Sequence, residues 1–383
     1  MVVNALSYGT IIPLLYPYAS RFGINGLGLG LLFSSFSLFQ FLATPIIGRL
    51  SDQYGRKPLL LLSLLGTAVS QVLFALAGNI PQLFFARILD GITGGNNSVA
   101  QAVIADSLEG EERTKAFGLL GASFGVGFLI GPAIGGLLSS VSMQAPFYFS
   151  AVLALFGVVL GWILLPETLP ASAKKKSAHK RQALINFPLL WRALTSSAAG
   201  PILLVSFLGM TSHQALVIGF QSFTVDVLHM TTTEIGLMFA GIGLVSVLMQ
   251  AIGIRYLLTF VKSNTLILKG SLLACGVVSG LLFFSGSLWY FVGMTLLYVS
   301  CFAPQQVVLT GLLSMQTKAE DQGGMMGILH AYLSLGQIIG PIVAGIVTGW
   351  SINAVFVVAA IFFLISLVGS QTIKEASQVK ADI

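Results

Sequence analysis

The sequence predicts an all-α integral membrane protein in which twelve transmembrane helices form two pseudo-symmetric six-helix halves. Composition, the number of long apolar runs and an internal repeat support this prediction. Hydrophobic residues occupy 55% of the 383 positions and charged residues only 8%, against about 25% charged residues in an ordinary soluble domain. So few charges cannot cover a surface that faces water, and the exterior is therefore expected to face lipid.

Apolar runs long enough to cross a membrane recur along the whole chain. A helix needs about 20 apolar residues to span the bilayer core. We count twelve such runs, at about 1–19, 27–50, 58–78, 81–105, 116–140, 145–166, 199–225, 232–254, 264–285, 287–314, 323–348 and 352–371. Continuous runs of this length exclude a membrane barrel, whose strands alternate over about ten residues.

Lys and Arg are concentrated in alternate loops. One side carries Arg56, Lys57, Arg113, Lys115, Lys174, Lys175, Lys176, Lys180, Arg181, Arg192, Arg255, Lys262, Lys318, Lys374 and Lys380, and the other side carries Arg21. Because cytoplasmic loops are enriched in Lys and Arg, the pattern predicts a multi-pass plasma (inner) membrane protein with both termini in the cytoplasm. It also accounts for the net charge of +6 without a nucleic-acid partner.

A Lys-rich segment from Glu167 to Arg192 separates six apolar runs from six. We therefore expect a first half at 1–166, a cytoplasmic linker at 167–198, a second half at 199–371 and a cytoplasmic tail at 372–383. Such a segment is typical of a flexible, solvated linker, although its basic run could also rest on anionic lipid.

An internal repeat supports the same division. GLLGASFGVGFLIGPAIGG, from Gly118 to Gly136, matches GILHAYLSLGQIIGPIVAG, from Gly327 to Gly345, at an offset of 209 with eight identities in 19 positions. Upstream, Glu111 and Glu112 meet Glu320 and Asp321. Many secondary transporters consist of two parallel repeats with a substrate site between them near the midplane of the membrane.

The loop after the second run carries a specific motif. Gly48, Leu50, Asp52, Gly55, Arg56 and Lys57, followed by Leu61, fit the pattern G-x-L-x-D-x-x-G-R-K-x-x-x-L. In this motif, as in its span count and repeat, the chain resembles the major facilitator superfamily. The resemblance implies a charge latch between the halves, formed here by Gly48, Asp52, Gly55, Arg56 and Lys57 with Asp106 and Arg113 as partners. The corresponding junction at 253–262 reads GIRYLLTFVK and lacks the motif. The alternative is a plain turn with cations that set the topology.

Two charges lie within the fourth run. Arg87, Asp90, Gly91, Gly94 and Gly95 resemble the family's R-x-x-x-G motif, which implies a role in proton transfer. A charge within a membrane normally faces a cavity or a partner. Since Arg87 and Asp90 are three residues apart on one helix, they could instead form a purely structural pair.

The repeated segments are similar to the antiporter motif of the drug-exporting branch. Gly residues allow close helix approach and Pro bends a helix. The resemblance implies this role for Gly121, Gly125, Gly127, Gly131, Pro132, Gly135 and Gly136 in the first half, and for Gly340 and Pro341 in the second.

Four segments resemble the tetracycline-resistance type of drug/proton antiporter within this family. They are RILDGITGG from Arg87, IADSLEGEERTKAFG from Ile104, and the short stretches QAPFYFSAV and LLPET. That type carries acids in spans one, three and nine. The matching positions here are Asn4, Ser70 and Cys275, none of which titrates as a carboxylate does.

Polar side chains within the spans are candidates for a substrate cavity. They are Asn4, Asn97, Gln101, His213, Gln214, Gln305 and His330. A His can carry protons near neutral pH, or it can be a satisfied helix contact. Neither cysteine has ligand-type neighbours in sequence, so no metal site is expected.

These features together predict a proton-coupled exporter of drugs or amphiphilic metabolites that works by alternating access, as a monomer in the lipid bilayer. We expect no enzymatic activity and no cofactor, and the chain has no G-x-x-x-x-G-K-[ST] loop for ATP. One alternative is an uncoupled or differently coupled transporter of one metabolite, such as a sugar or siderophore. A more remote alternative is a receptor that kept the scaffold and lost transport.

Overall fold

The computed structural model describes residues 1–169, 187–318 and 321–373, apart from the side chains of Thr114 and Phe187. The described part of the first half consists of helices joined by short loops. They are α1 (Val2–Ile11), α2 (Leu15–Ala19), α3 (Gly26–Tyr54), α4 (Arg56–Ala75), α5 (Ile80–Thr93), α6 (Asn96–Ser107), α7 (Gly110–Ser139) and α8 (Ala145–Leu164).

The described part of the second half has the same character. Its helices are α9 (Phe187–Leu194), α10 (Ala199–Ser222), α11 (Thr232–Leu248), α12 (Ile254–Phe260), α13 (Asn264–Leu282), α14 (Leu288–Met315), α15 (Gln322–Thr348) and α16 (Ala354–Gly369). Short π-helical segments at Phe223–Val227 and Met249–Gly253 extend α10 and join α11 to α12. The described residues form helices and turns but no strands, and the predicted fold class is confirmed.

Ten helical segments among the described residues are long and apolar enough to cross a membrane. The other two predicted spans, 1–19 and 81–105, are also helical but interrupted. In the first, a 3₁₀ turn at Ile12–Leu14 separates α1 from α2, and Pro13 lies in that turn. In the second, α5 ends at Thr93 and α6 begins at Asn96, because two glycines at 94–95 break the helix.

The chain divides into two compact units. Unit 1 comprises Met1–Ile24, Ser35–Ile185 and Met230–Gly243, and unit 2 comprises Asn25–Ser34, Asn186–His229 and Leu244–Ile383. The beginning of α3 therefore packs within unit 2, and the beginning of α11 packs within unit 1. The basic run of the predicted linker, at 174–181, and the tail from Lys374 onward lie outside the described residues, as does Glu320 of the repeat.

Each unit has an aromatic core. In unit 1 the rings of Tyr18 and Phe74 lie 4.8 and 4.9 Å from the ring of Phe147. In unit 2 the Phe223 ring lies 4.7 Å from Phe291, and both contact Phe356. Phe147 and Phe356 are separated by the repeat offset of 209 residues, so the two cores share an anchor position.

Candidate functional site

Arg56 is the centre of a charge cluster at the loop between α3 and α4. Its Nε donates to Asp106 Oδ2 at 2.8 Å, its Nη1 donates to Ser51 Oγ at 2.7 Å, and it forms an ion pair with Asp52. The Arg56 side chain is 10% exposed, while the Asp52 and Asp106 side chains are 41% and 25% exposed. One planar cation thus joins the end of α3 to the end of α6, which suits the fork of donors that arginine offers.

The beginning of α4 is held by two further contacts. The backbone N–H of Arg56 donates to Glu167 Oε1 at 2.9 Å, and Lys57 Nζ donates to the Trp162 carbonyl at 2.7 Å. A carboxylate at a helix N-terminus and a cation near a helix C-terminus both complement the helix dipole. Gly55, with φ of 119°, provides a backbone conformation that other residues rarely adopt.

The described contacts therefore bring together most of the predicted latch. Asp52, Arg56 and Asp106 form the cluster, Gly55 forms the turn, and Gly48 contributes the carbonyl that accepts from Ser51 Oγ at 2.7 Å. All of these residues belong to unit 1. Ser51 and Glu167 were missed by the sequence interpretation, because Ser51 is not part of the motif and Glu167 is distant in sequence.

Arg113, in contrast, lies apart from this cluster. Its guanidinium lies over the ring of Phe117, 5.9 Å from the centroid, on the exposed surface of α7. Residues four apart share one helix face, so this local contact turns the side chain along its own helix. The structure thus gives Arg56 a partner in Glu167 rather than bringing Arg113 to the latch.

A second charge cluster is buried inside unit 1. Arg87 and Asp90 of α5 are 3% and 4% exposed. Arg87 Nη1 lies 3.2 Å from Asp90 Oδ2, and Gln71 Nε2 of α4 donates to the same oxygen at 3.2 Å. The remaining Nε of Arg87 is buried and makes no hydrogen bond within the described residues.

Aromatic rings surround the Arg87 cation. It lies 4.9 Å from the centroid of Phe36 and 6.0 Å from that of Phe74. Tyr8 of α1 contacts the rings of Phe36 and Phe128. A desolvated cation gains from the negative faces of such rings, so the environment stabilises a charge that lipid alone would not.

The helix break lies one turn beyond Asp90. Gln40 Nε2 of α3 donates to the Gly94 carbonyl at 3.0 Å, and the Ser63 hydroxyl of α4 donates to the Thr93 carbonyl. The carbonyls freed by the break are therefore satisfied by neighbouring helices. Interrupted membrane helices of this kind occur where backbone lines a protein interior or a cavity.

Asn4 and Ser70, at the two first-half positions where the resemblance places acids, lie beside these features. Asn4 Oδ1 accepts from Asn96 Nδ2 at 3.0 Å. Ser70 is 1% exposed, donates to the Thr67 carbonyl at 2.8 Å and neighbours the Asp90 carboxylate. A serine at position 70 therefore leaves Asp90 as the acid in this region.

The predicted cavity residues fall into separate groups within the described structure. In unit 1, Asn97 has a buried carbonyl oxygen without a partner, and Gln101 is exposed on α6. In unit 2, His213 bonds Tyr298, whereas Gln214 is half-buried and His330 is exposed on α15. Cys275, at the third position where the resemblance places an acid, is buried and accepts from Gln305 Nε2 at 3.3 Å.

The glycines of the antiporter-type motif permit close helix contacts. A Cβ added to Gly131 would lie 2.8 Å from the carbonyl carbon of Gly9 on α1. At the repeat-related position of α15, a Cβ on Gly340 would lie 2.8 Å from Gln214 Cβ of α10. Gly127 and Gly135 likewise pack against α1, Gly136 packs against Gly236 of α11, and Pro132 and Pro341 lie inside α7 and α15.

A helical protein with a repeated half, buried intramembrane charges and interrupted spans belongs to the class of multi-pass membrane transporters. The sequence model of the Major Facilitator Superfamily matches residues 1–310 and 266–375. The chain therefore belongs to the Major Facilitator Superfamily.

Curated relatives confirm the resemblance to the tetracycline-resistance type. The chain is 33% identical to the class C tetracycline resistance protein of Escherichia coli, over 88% of this chain and 85% of that protein. It is 29% identical to the class B protein of Escherichia coli, over 97% and 93%. It is 28% identical to the quinolone resistance protein NorA of Staphylococcus aureus, over 89% and 86%.

Solved structures support the fold. The human organic anion transporter MFSD10 is similar with a TM-score of 0.70 at 23% identity, over 97% of this chain and 96% of that chain. The nucleoside transporter NupG is similar with a TM-score of 0.76 at 12% identity, over 97% of this chain and 96% of that chain.

The burial of the Arg87–Asp90 pair predicts its response to mutation. Asp90→Asn leaves the Arg87 cation without its counterion, and we expect it to lower the free energy of unfolding by about 3 kcal/mol. Replacing both residues by Leu removes both charges, and we expect the double variant to recover to within about 1 kcal/mol of the native protein. Unfolding in detergent measures both. A single variant as stable as the native protein would contradict the buried pair.

Proposed function

We propose that the protein is a proton-coupled exporter of drugs or amphiphilic metabolites in the plasma membrane. The observation that carries this proposal is the buried Arg87–Asp90 pair beside the break between α5 and α6. Of the ion pairs found among the described residues, it is the one in which both side chains are buried. The Asp90 carboxylate of this pair can hold either a proton or another partner, which is a cation or a hydrogen-bond donor.

The coupling follows from what each protonation state leaves unpaired. With Asp90 ionised, its Oδ2 accepts from both Arg87 and Gln71. An ionised Asp90 can also accept from a donor group of a bound substrate, while the unpartnered Nε of Arg87 donates to an oxygen of the same substrate. Protonation of Asp90 removes that acceptor. The proton and the substrate therefore exclude each other at the pair, which links substrate binding to the proton on Asp90.

We assign the conformational control to the latch of Asp52, Arg56 and Asp106. The moving bodies in this proposal are the halves 1–166 and 199–371, with the linker 167–198 and the tail 372–383 in the cytoplasm. Arg113 has no assigned part, because its side chain lies on Phe117. Since the cluster is at the membrane edge and partly exposed, its charges can exchange partners at small cost.

Contacts at the opposite helix ends support alternating access. Within unit 1, Ser139 Oγ at the end of α7 lies 2.6 Å from Thr232 Oγ1 at the start of α11. Within unit 2, Gly345 near the end of α15 packs against Leu27 near the start of α3, with 2.9 Å from an added Cβ to Leu27 Cα. In the proposed topology both contacts lie at the outer face, where they would separate to release substrate outward.

The substrate class comes from the relatives and from the aromatic surroundings of the pair. The printed names of the relatives refer to resistance to tetracycline and to quinolones. Rings of Tyr8, Phe36, Phe74 and Phe128 lie near Arg87 or near each other. We propose planar amphiphilic compounds that carry an acceptor oxygen, transported by a monomer without a cofactor.

A second candidate is transport of a specific metabolite without proton coupling. The observation that favours it is the replacement of three acids of the tetracycline-resistance type by Asn4, Ser70 and Cys275. Under this alternative, Arg87 and Asp90 form a permanent structural pair.

Transport in reconstituted vesicles separates these candidates. With tetracycline or norfloxacin as the probe, we expect uptake into inverted vesicles to require an inside-acid pH gradient and to stop when a protonophore removes the gradient. The Arg87→Leu, Asp90→Leu double variant should retain folding and lose the gradient dependence. Native transport that is indifferent to the gradient would eliminate proton antiport and favour the metabolite carrier.

The latch assignment predicts a conformational shift. Asp52→Asn removes one of the carboxylates that hold Arg56, so labelling of single cysteines in the cavity should shift toward the inward-open pattern with little loss of stability. Glu111→Gln is the matched control, because it breaks the Lys115–Glu111 pair on the same face, whose side chains are 70% and 82% exposed. Equal labelling in the native protein and in Asp52→Asn would contradict the assignment.

A further inference from the structure

His213 lies on the less buried face of α10. Within the apolar window of α10, 67% of residues are buried, the largest share among the ten candidate spans of the described chain. Between Thr211 and Ser222 every residue is buried except His213, Gln214 and Val217, which share one helix face. These three residues are half-buried, so each keeps part of its surface outside the packing of the described residues.

Two residues of α14 fix the imidazole. Its Nδ1 lies 2.9 Å from the Tyr298 hydroxyl, and its ring stacks on Phe302 with centroids 4.1 Å apart and planes 6° apart. Tyr298 is 0% exposed. Within the described chain, His213 is the hydrogen-bond partner found for that hydroxyl.

The burial of Tyr298 decides which nitrogen carries the proton. A phenol O–H left unpaired in an apolar interior is costly, so the hydroxyl donates to its available acceptor. Nδ1 of His213 must then be the unprotonated nitrogen. A neutral imidazole with Nδ1 as acceptor carries its proton on Nε2.

The same contact opposes the charged form of His213. An imidazolium has N–H groups at both ring nitrogens, so Nδ1 would donate to Tyr298 and leave the phenol proton without an acceptor. Around Tyr298 the titratable neighbours are the thiols of Cys275 and Cys301. No ion pair of the described residues involves His213. Among the described residues, these contacts therefore place no opposite charge beside the imidazole.

The other nitrogen is available to a ligand. Nε2 makes no hydrogen bond within the described chain. It is also not fully enclosed by protein atoms. The repeat offset of 209 relates His213 to Asn4 and Gln305 to Asn96. The two related positions of the first half therefore hold uncharged side chains as well. There, Asn96 donates to Asn4 at 3.0 Å.

We infer that His213 is a neutral hydrogen-bond donor, set in its Nε2–H tautomer by Tyr298, which binds a carbonyl or carboxylate oxygen of the transported compound. It is a specificity residue and does not carry the coupled proton, and Tyr298 is its positioning residue. The ligand part of this inference rests on the proposed export function, whereas the tautomer follows from the geometry of His213 and Tyr298.

Two variants separate the outward N–H from the contact with Tyr298. His213→Asn keeps an acceptor for Tyr298 at the place of Nδ1 and loses the outward donor, and we expect its Kd for tetracycline or norfloxacin to rise about tenfold. His213→Gln with Tyr298→Phe keeps an outward amide N–H and removes the buried hydroxyl, and we expect a Kd within about threefold of native. A purely structural histidine predicts the reverse order, which would overturn the inference.

Nitrogen NMR of histidine-labelled protein tests the tautomer without any transport. Subtracting the spectrum of His213→Asn should leave one pyridine-type and one pyrrole-type signal, unchanged from pH about 5.5 to 8. In Tyr298→Phe these signals should become pH-dependent. An imidazolium spectrum in the native protein would overturn the inference.

The binding and NMR results fail independently of the proposed function. Transport that ignores a pH gradient would contradict proton-coupled export and leave a neutral, donating His213 intact. Failure of the native protein to bind either probe would overturn the ligand part of the inference, whatever the vesicles report.

Discussion

The low polarity of the bilayer interior is the constraint on which the rest of the structure depends. A charge or a free backbone group inside it needs a protein partner. The Arg87–Asp90 pair, 3.2 Å apart and almost fully buried, meets this requirement with help from Gln71 and the rings of Phe36 and Phe74. In the proposed mechanism, a third group that competes for either charge would disturb this pair and so couple it to transport.

The same constraint explains the helix break and the latch. The carbonyls freed near Gly94 are satisfied by Gln40 and Ser63, so α5 and α6 can end and begin inside the bundle. The cluster around Arg56 is more exposed, and charges that keep contact with water cost less. The proposed function assigns proton exchange to the buried pair and conformational control to the more exposed cluster. Unit 2 instead joins its helices through uncharged groups. His213 of α10 bonds to Tyr298 of α14, and Gln305 of α14 donates to Cys275 of α13.

The sequence allowed prediction of interactions that are local or carried by a motif. Arg87 with Asp90 and Asp52 with Arg56 are three and four residues apart, a spacing that brings side chains together on any helix. The bonds of Glu167 to Arg56, Gln71 to Asp90 and Tyr298 to His213 depend on how helices pack and rotate, which hydropathy does not specify. The same limit explains Arg113, whose side chain lies over Phe117 on its own helix. The break in the fourth span had a signal in Gly94 and Gly95, but apolar length alone hid it.

Proton release on ligand binding tests most directly the claim that one buried carboxylate couples transport. In a weakly buffered detergent solution, adding tetracycline or norfloxacin to the native protein should release about one proton per bound ligand, because ligand and proton exclude each other at the pair. The Arg87→Leu, Asp90→Leu variant should release none while remaining folded. Equal release from the two proteins, or none from native protein that binds the ligand, would contradict the account.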